Sequence, residues 1–101
     1  MKKRNIKALV NKTIRGSKYA DLIEKISLFG SYMRGEEKKD SDIDLLIYFV
    51  PMAPIGFFEL HHIQNALEEM LGAKVDLVER DGLSPYLKDI ILSEAKPVYE
   101  K

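Results

Sequence analysis

Two carboxylates two residues apart, Asp42 and Asp44, open an apolar run that continues to Val50, and a third, Asp76, interrupts Val75-Asp-Leu-Val78. Side chains two apart on a strand project from the same face, about 6.6 Å apart along the backbone. Asp42 and Asp44 can therefore converge on shared cations while Ile43, Leu45 and Ile47 enter a core. Asp76 stands where its neighbours favour burial, and a buried, ionised carboxylate costs several kcal/mol unless a cation or donor meets it. If the strand carrying Asp76 pairs beside the one carrying Asp44, three carboxylates meet at one end of a sheet. Hard oxygen donors of this kind suit Mg²⁺ or Mn²⁺. Two such ions roughly 3.5–4 Å apart can activate an attacking hydroxyl and stabilise a leaving phosphate.

Gly30-Ser31 follows the apolar segment Ile26–Phe29 and precedes Asp42 by a ten-residue spacer. Glycine permits close backbone approach, and Ser31 offers a hydroxyl and an N–H to a phosphate. Arg34 suits a phosphate or a carboxylate equally well, including an ion pair with acids of its own loop.

Three other patterns fail on chemistry. Gly30 and Gly35 have the spacing of a phosphate-binding P-loop, but Glu36 and Glu37 follow where Lys and Ser/Thr are needed. Asp40, Asp42 and Asp44 match the start of an EF-hand loop, yet its sixth position is Leu45 and its twelfth Pro51. His61 and His62 are adjacent on a helix and cannot face one ligand together; a surface and a half-buried residue are expected.

The elements that must position these groups follow from periodicity. Ile6, Leu9, Val10 and Ile14 mark a helix over about 3–15, ending near Gly16. Ser17 is expected to cap a second helix to about Lys25, with Tyr19, Leu22, Ile23 and Ile26 inward. Ile26–Phe29 reads as a short strand, 30–42 as a loop with room for one helical turn, and Ile43–Val50 as a strong strand closed by Pro51. After a turn at Met52–Gly56, Phe57, Leu60, Ile63, Leu67 and Leu71 predict a helix that Gly72 stops. Lys74–Glu79 is a third strand, Asp81-Gly82 a turn, and Ser84-Pro85 the start of a helix to about Ala95. Pro97–Glu100 fits an edge strand or a tail.

At 101 residues the chain holds one domain, 1–101, whose 46% hydrophobic residues build a small core. It has no cysteine, which excludes disulfides, thiolate metal sites and a cysteine nucleophile. The longest uncharged stretch, Leu45 to Phe58, is too short for a bilayer and contains two prolines. A soluble cytoplasmic protein with no membrane contact is expected. The formal net charge is zero, but seven of the 16 positive residues precede the first acid, Asp21, leaving a body with a net of −7. A basic head can serve nucleic acid or an acidic partner. The apolar stripe beside it favours a solvated helix face, and direct nucleic-acid binding is not expected.

Leu28-Phe-Gly-Ser-Tyr-Met-Arg-Gly35, Ser41-Asp-Ile-Asp-Leu-Leu46 and Lys74-Val-Asp-Leu-Val78 together resemble the minimal nucleotidyltransferases of the DNA polymerase β superfamily, over about residues 17–97. The resemblance implies an α+β fold, a small mixed β-sheet with helices packed on one side. It implies ATP as donor and AMP transfer with release of pyrophosphate. By position, Gly30 and Ser31 would hold the triphosphate with Arg34 beside them. Asp42 and Asp44 would hold Mg²⁺, and Asp76 would complete the metal site or act as base. Many such short proteins resemble the antitoxin half of a HEPN/minimal nucleotidyltransferase pair, which implies a HEPN ribonuclease toxin as partner and a toxin tyrosine as acceptor.

Two functions compete: a metal-dependent adenylyltransferase acting on a partner protein, and a non-catalytic antitoxin that masks its partner by contact. Clustered carboxylates repel one another and give a pure binder nothing, which favours the enzyme. Modification of a small molecule would require a second substrate-binding domain, and only 25 residues follow Asp76. The basic N-terminal helix and the apolar segment Met52–Phe58 are the candidate docking surfaces, since Phe57 and Phe58 cannot both face one core.

Overall fold

The computed structural model describes residues 2–101. Helix α1 (Lys3–Arg15) leads through a tight turn into strand β1 (Ile23–Phe29), and a single helical turn, α2 (Ser31–Arg34), follows. Strand β2 (Ile43–Phe49), helix α3 (Phe57–Leu71), strand β3 (Val75–Glu79), helix α4 (Pro85–Glu94) and strand β4 (Lys96–Glu100) complete the chain. The four strands form one mixed sheet in the order β3-β2-β1-β4. β1 runs antiparallel to both β2 and β4, while β2 and β3 are parallel and joined by α3. The α+β architecture with a small mixed sheet is the one expected, and no helix among the described residues is long and apolar enough to cross a membrane.

Strand alternation sorts the sheet into two faces. Ile26 and Leu28 of β1, Ile43, Leu45 and Ile47 of β2, and Val75 and Leu77 of β3 join Ile6, Val10 and Ile14 of α1 and Ile63, Leu67 and Leu71 of α3 in one core. The stripes at three- and four-residue spacing make both helices amphipathic, so each buries one side against the sheet. Asp44, Leu46, Asp76 and Val78 lie on the opposite face.

Three details depart from the sequence reading. No helix runs from 17 to 25: Ser17 Oγ accepts from the Tyr19 N–H at 3.0 Å in a turn, a 3₁₀ turn spans Ala20–Leu22, and β1 already starts at Ile23. The pairing of Ile23 with Phe49 and Ile26 with Ile47 extends β1, because long-range ladder bonds and burial outweigh a weak local helical preference. Phe57 does not face the core; it is 78% exposed, as Phe58 is at 76%, and its ring stacks on His61. His61 and His62 are both exposed, with His62 Nδ1 3.3 Å from the Tyr19 hydroxyl. The remaining elements start and stop within two residues of expectation, with Lys96–Glu100 an edge strand rather than a tail.

Candidate active site

The three carboxylates gather at the end of the sheet where β2 and β3 begin. Parallel pairing sets Asp44 directly beside Asp76, and Asp42 lies one residue ahead of β2. Two hydrogen bonds fix this register. Ile43 N–H donates to the Lys74 carbonyl at 2.9 Å, and Val75 N–H donates to Glu68 Oε2 of α3, also at 2.9 Å. Glu68 therefore helps decide where β3 starts and where Asp76 sits, a role invisible in the helical pattern.

Burial falls differently from expectation. Asp76 is exposed on the edge strand, so it does not bear the desolvation cost that its apolar neighbours implied. Asp44, on the interior strand β2, bears it. Burial pushes the Asp44 carboxyl up to about 6, with further contributions from the negative charges of Asp76 and Asp42. Arg34 opposes that rise.

Gly30 closes the site from the β1 side. Phe29 is paired with Asp44, and Gly30 follows with φ +77°, a conformation that side chains disfavour. A Cβ here would overlap Asp44 Oδ2 and stand 2.8 Å from its Cγ. The glycine is thus required twice, by its backbone and by the carboxylate packed over its Cα. Ser31 opens α2, so its hydroxyl and N–H lie at the turn that passes Asp44.

Arg34 ends α2 and makes ion pairs on both sides, from Nε to Glu36 at 2.9 Å and from Nη1 to Glu94 of α4 at 3.0 Å. The loop-acid pairing considered from sequence is present. Glu94 was not anticipated; it also accepts from the Gly30 N–H at 2.8 Å. The 64 residues between Gly30 and Glu94 leave no local signal of that contact.

A cleft of about 470 Å³ opens beside Asp42, walled by Tyr32, Lys39, Ser41, Ala73 and Lys74. That size falls in the range of small-molecule sites. Clefts near Lys25 and Tyr48, and between Lys12 and Met70, contain none of the three aspartates.

The donor set fits a divalent cation: hard carboxylate oxygens, adjacent in register, with one carboxyl held well above its usual range first by burial and then by the negative charge of its two neighbours. Among the described residues no three His, Cys, Asp or Glu side chains already form a closed cage. Asp42, Asp44 and Asp76 are neighbours that side-chain rotation would have to draw together.

This combination of sheet order, helix placement and acidic strand ends defines a nucleotidyltransferase fold. The nucleotidyltransferase domain family matches residues 10–98, and the chain belongs to that family. A protein adenylyltransferase of Thermococcus cleftensis, MntA, is 40% identical over 73 residues, 71% of each chain. A candidate protein adenylyltransferase of Methanocaldococcus jannaschii, MJ0435, is 41% identical over 76 residues, 75% of this chain and 80% of its own. A solved structure described as a candidate minimal nucleotidyltransferase superposes with TM-score 0.78 at 32% identity, covering 96% of both chains. Two more distant structures share the fold. One is a toxin–antitoxin with AMP-PNP, TM-score 0.75 at 23% identity, covering 94% of this chain and 73% of that one. The other is a tri-AMPylated Shewanella oneidensis HEPN toxin in complex with its MNT antitoxin, TM-score 0.66 at 22% identity, covering 95% of this chain and 73% of that one.

Proposed function

We propose that the protein transfers AMP from ATP to a hydroxyl, by preference a tyrosine, of a HEPN-type toxin and so acts as its antitoxin. The observation that carries this reading is the in-register pairing of Asp44 with Asp76, beside a Gly30-Ser31 turn that only glycine can make. Relatives about 40% identical over 73–76 aligned residues are named protein adenylyltransferases, and one distant structural neighbour is a complex with an AMPylated HEPN toxin.

In this reading Ser31, at the turn that Gly30 makes possible, and Arg34 hold the triphosphate. Asp42, Asp44 and Asp76 would hold Mg²⁺ or Mn²⁺, which when bound supplies positive charge to the phosphates and to the attacking oxygen. The acceptor oxygen forms a bond to the α-phosphorus as the bond to pyrophosphate breaks. Its proton passes to the Asp76 carboxylate, which is exposed at the sheet edge and so within reach of a partner's hydroxyl. The partner brings the nucleophile, and the complex holds it in line with the α-phosphorus, positioning that is worth roughly 7–11 kcal/mol. The exposed Phe57 and Phe58 give the Met52–Phe58 segment an apolar contact surface for that partner.

The test is to incubate the protein with ATP, Mg²⁺ and the product of the neighbouring gene, then weigh the intact partner. An AMP-sized gain that excess chelator prevents is expected. An unchanged mass, or full transfer in chelator, contradicts the reading.

A further inference from the structure

Helix α4 contributes no buried side chain, and Tyr86, Leu87 and Ile90 stand exposed along it. Its C-terminal residue, by contrast, is gripped by polar contacts. The Glu94 side chain is 22% exposed, and its Oε2 accepts from the Gly30 N–H at 2.8 Å. Both of its carboxylate oxygens accept from Arg34 Nη1, at 3.0 and 3.1 Å. Arg34 Nε is engaged by Glu36 at 2.9 Å. Arg34 Nη2 makes no hydrogen bond among these contacts, so one edge of the guanidinium still offers donors.

We propose that Glu94 is a positioning residue for nucleotide binding: it fixes the Gly30 peptide and the Arg34 guanidinium as one unit, leaving Arg34 Nη2 to meet a nucleotide triphosphate. The inference rests on the phosphate-binding role assigned above to the Gly30-Ser31 turn and Arg34. A long, half-exposed arginine loses considerable rotamer freedom when it clamps a ligand. Glu94 and Glu36 remove that freedom beforehand, and preorganisation of this kind raises affinity by lowering the ordering cost of binding. A carboxylate near a triphosphate is otherwise repulsive. Glu94 is tolerable there because its oxygens are engaged by three donor contacts rather than turned toward the ligand. Its hold on Gly30 also ties the φ +77° turn over Asp44 to the helix that precedes β4.

The experiment titrates AMP-PNP with Mg²⁺ into the wild-type protein and into Glu94→Gln, Glu94→Ala, Arg34→Ala and the double variant Glu94→Ala/Arg34→Ala, each held well below its melting temperature. Glu94→Ala should weaken binding about tenfold or more, and Glu94→Gln, which keeps an acceptor for Gly30 N–H but no charge, should fall between it and wild type. In the Arg34→Ala background the Glu94 substitution should cost less than twofold, because the residue acts largely through Arg34. If Glu94→Ala does not fold, Glu94→Gln alone decides: weaker binding supports the inference and wild-type affinity overturns it. A lowered melting temperature with unchanged affinity, or losses that multiply in the double variant, reduces Glu94 to a tether of α4 and overturns it. A wild type that binds nucleotide while the Glu94 variants match it refutes this inference alone. A wild type that binds none refutes the functional reading as well.

Discussion

Where strand β2 begins, its two faces are one residue apart in sequence and opposite in chemistry. Ile43, Leu45 and Ile47 are fully buried beneath α1 and α3, while Asp44 between them points to the opposite face, beside Asp76. The first face stabilises the fold by removing apolar area from water, at about 25 cal/mol per Å². The second destabilises it, because Asp44 is half-buried among like charges. Strain of this sort persists where the surrounding structure is over-determined, and the rigid core under β2 supplies that support. Stability and function are thus separable by single substitutions at neighbouring positions.

The largest expected effect is on chemistry. Asp44→Asn should reduce AMP transfer at least about a thousandfold, on the order of 4 kcal/mol in the transition state, while the melting temperature at pH 7.5 rises by several degrees. Parallel transfer assays and calorimetry check both halves, and a fall in both would merge the two faces into one. Leu45→Ala, one residue on, should do the reverse. It should lower stability by about 2–5 kcal/mol, yet leave transfer per folded molecule within a few-fold when assayed in the cold. Chemical denaturation gives the first quantity and single-turnover kinetics the second.

Gly30→Ala sharpens the boundary between the faces. The added Cβ overlaps the Asp44 carboxylate and φ is +77°, so a transfer loss of about a hundredfold, some 2.7 kcal/mol, is expected. Far-ultraviolet circular dichroism should remain near wild type. The smallest effect is on pH dependence. Because the folded Asp44 carboxyl sits at about 6 against an ordinary 3.8, the folded state binds its proton more tightly than the unfolded chain. Metal-free stability should therefore fall as pH rises from about 4 to about 6, by about 1 kcal/mol, because solvent screens a carboxyl this exposed. Asp44→Asn should lack that component, as urea midpoints across the range will show.

Much of this division is legible in the residues. The alternation from Asp42 to Leu45 announces a strand whose start has one acidic and one apolar side, and the Val75-Asp-Leu-Val78 pattern announces its neighbour. Long stripes such as Ile63, Leu67 and Leu71 leave little doubt about α3. Residues 17–25 misled because Ile23 and Ile26, three apart, suit a helix locally; only pairing with residues 43–49 makes them a strand. Phe57 continues the helical spacing but lies at the first turn of α3, beyond the sheet it would have to cover. Glu68 and Glu94 escaped notice for a different reason. Glu68 acts on the Val75 backbone N–H, which no side chain betrays in sequence, and Glu94 reaches the Gly30 N–H and the Arg34 guanidinium from 60 or more residues away. Asp76 looked buried because its neighbours are apolar, but β3 is an edge strand and edges leave such positions wet.

The central claim is that the acidic face performs chemistry rather than lending its charge to a contact surface. It is tested most directly by asking whether Asp44→Asn protein silences the partner toxin. The substitution leaves the Met52–Phe58 surface intact, so the variant should still form the complex. With ATP and Mg²⁺ present, and the complex then dissociated, toxin exposed to the wild-type protein should stay inactive and carry AMP, whereas toxin exposed to the variant should regain full ribonuclease activity and carry none. Equal and lasting silencing by both proteins, without any change in toxin mass, would contradict the account and establish a binding antitoxin in its place.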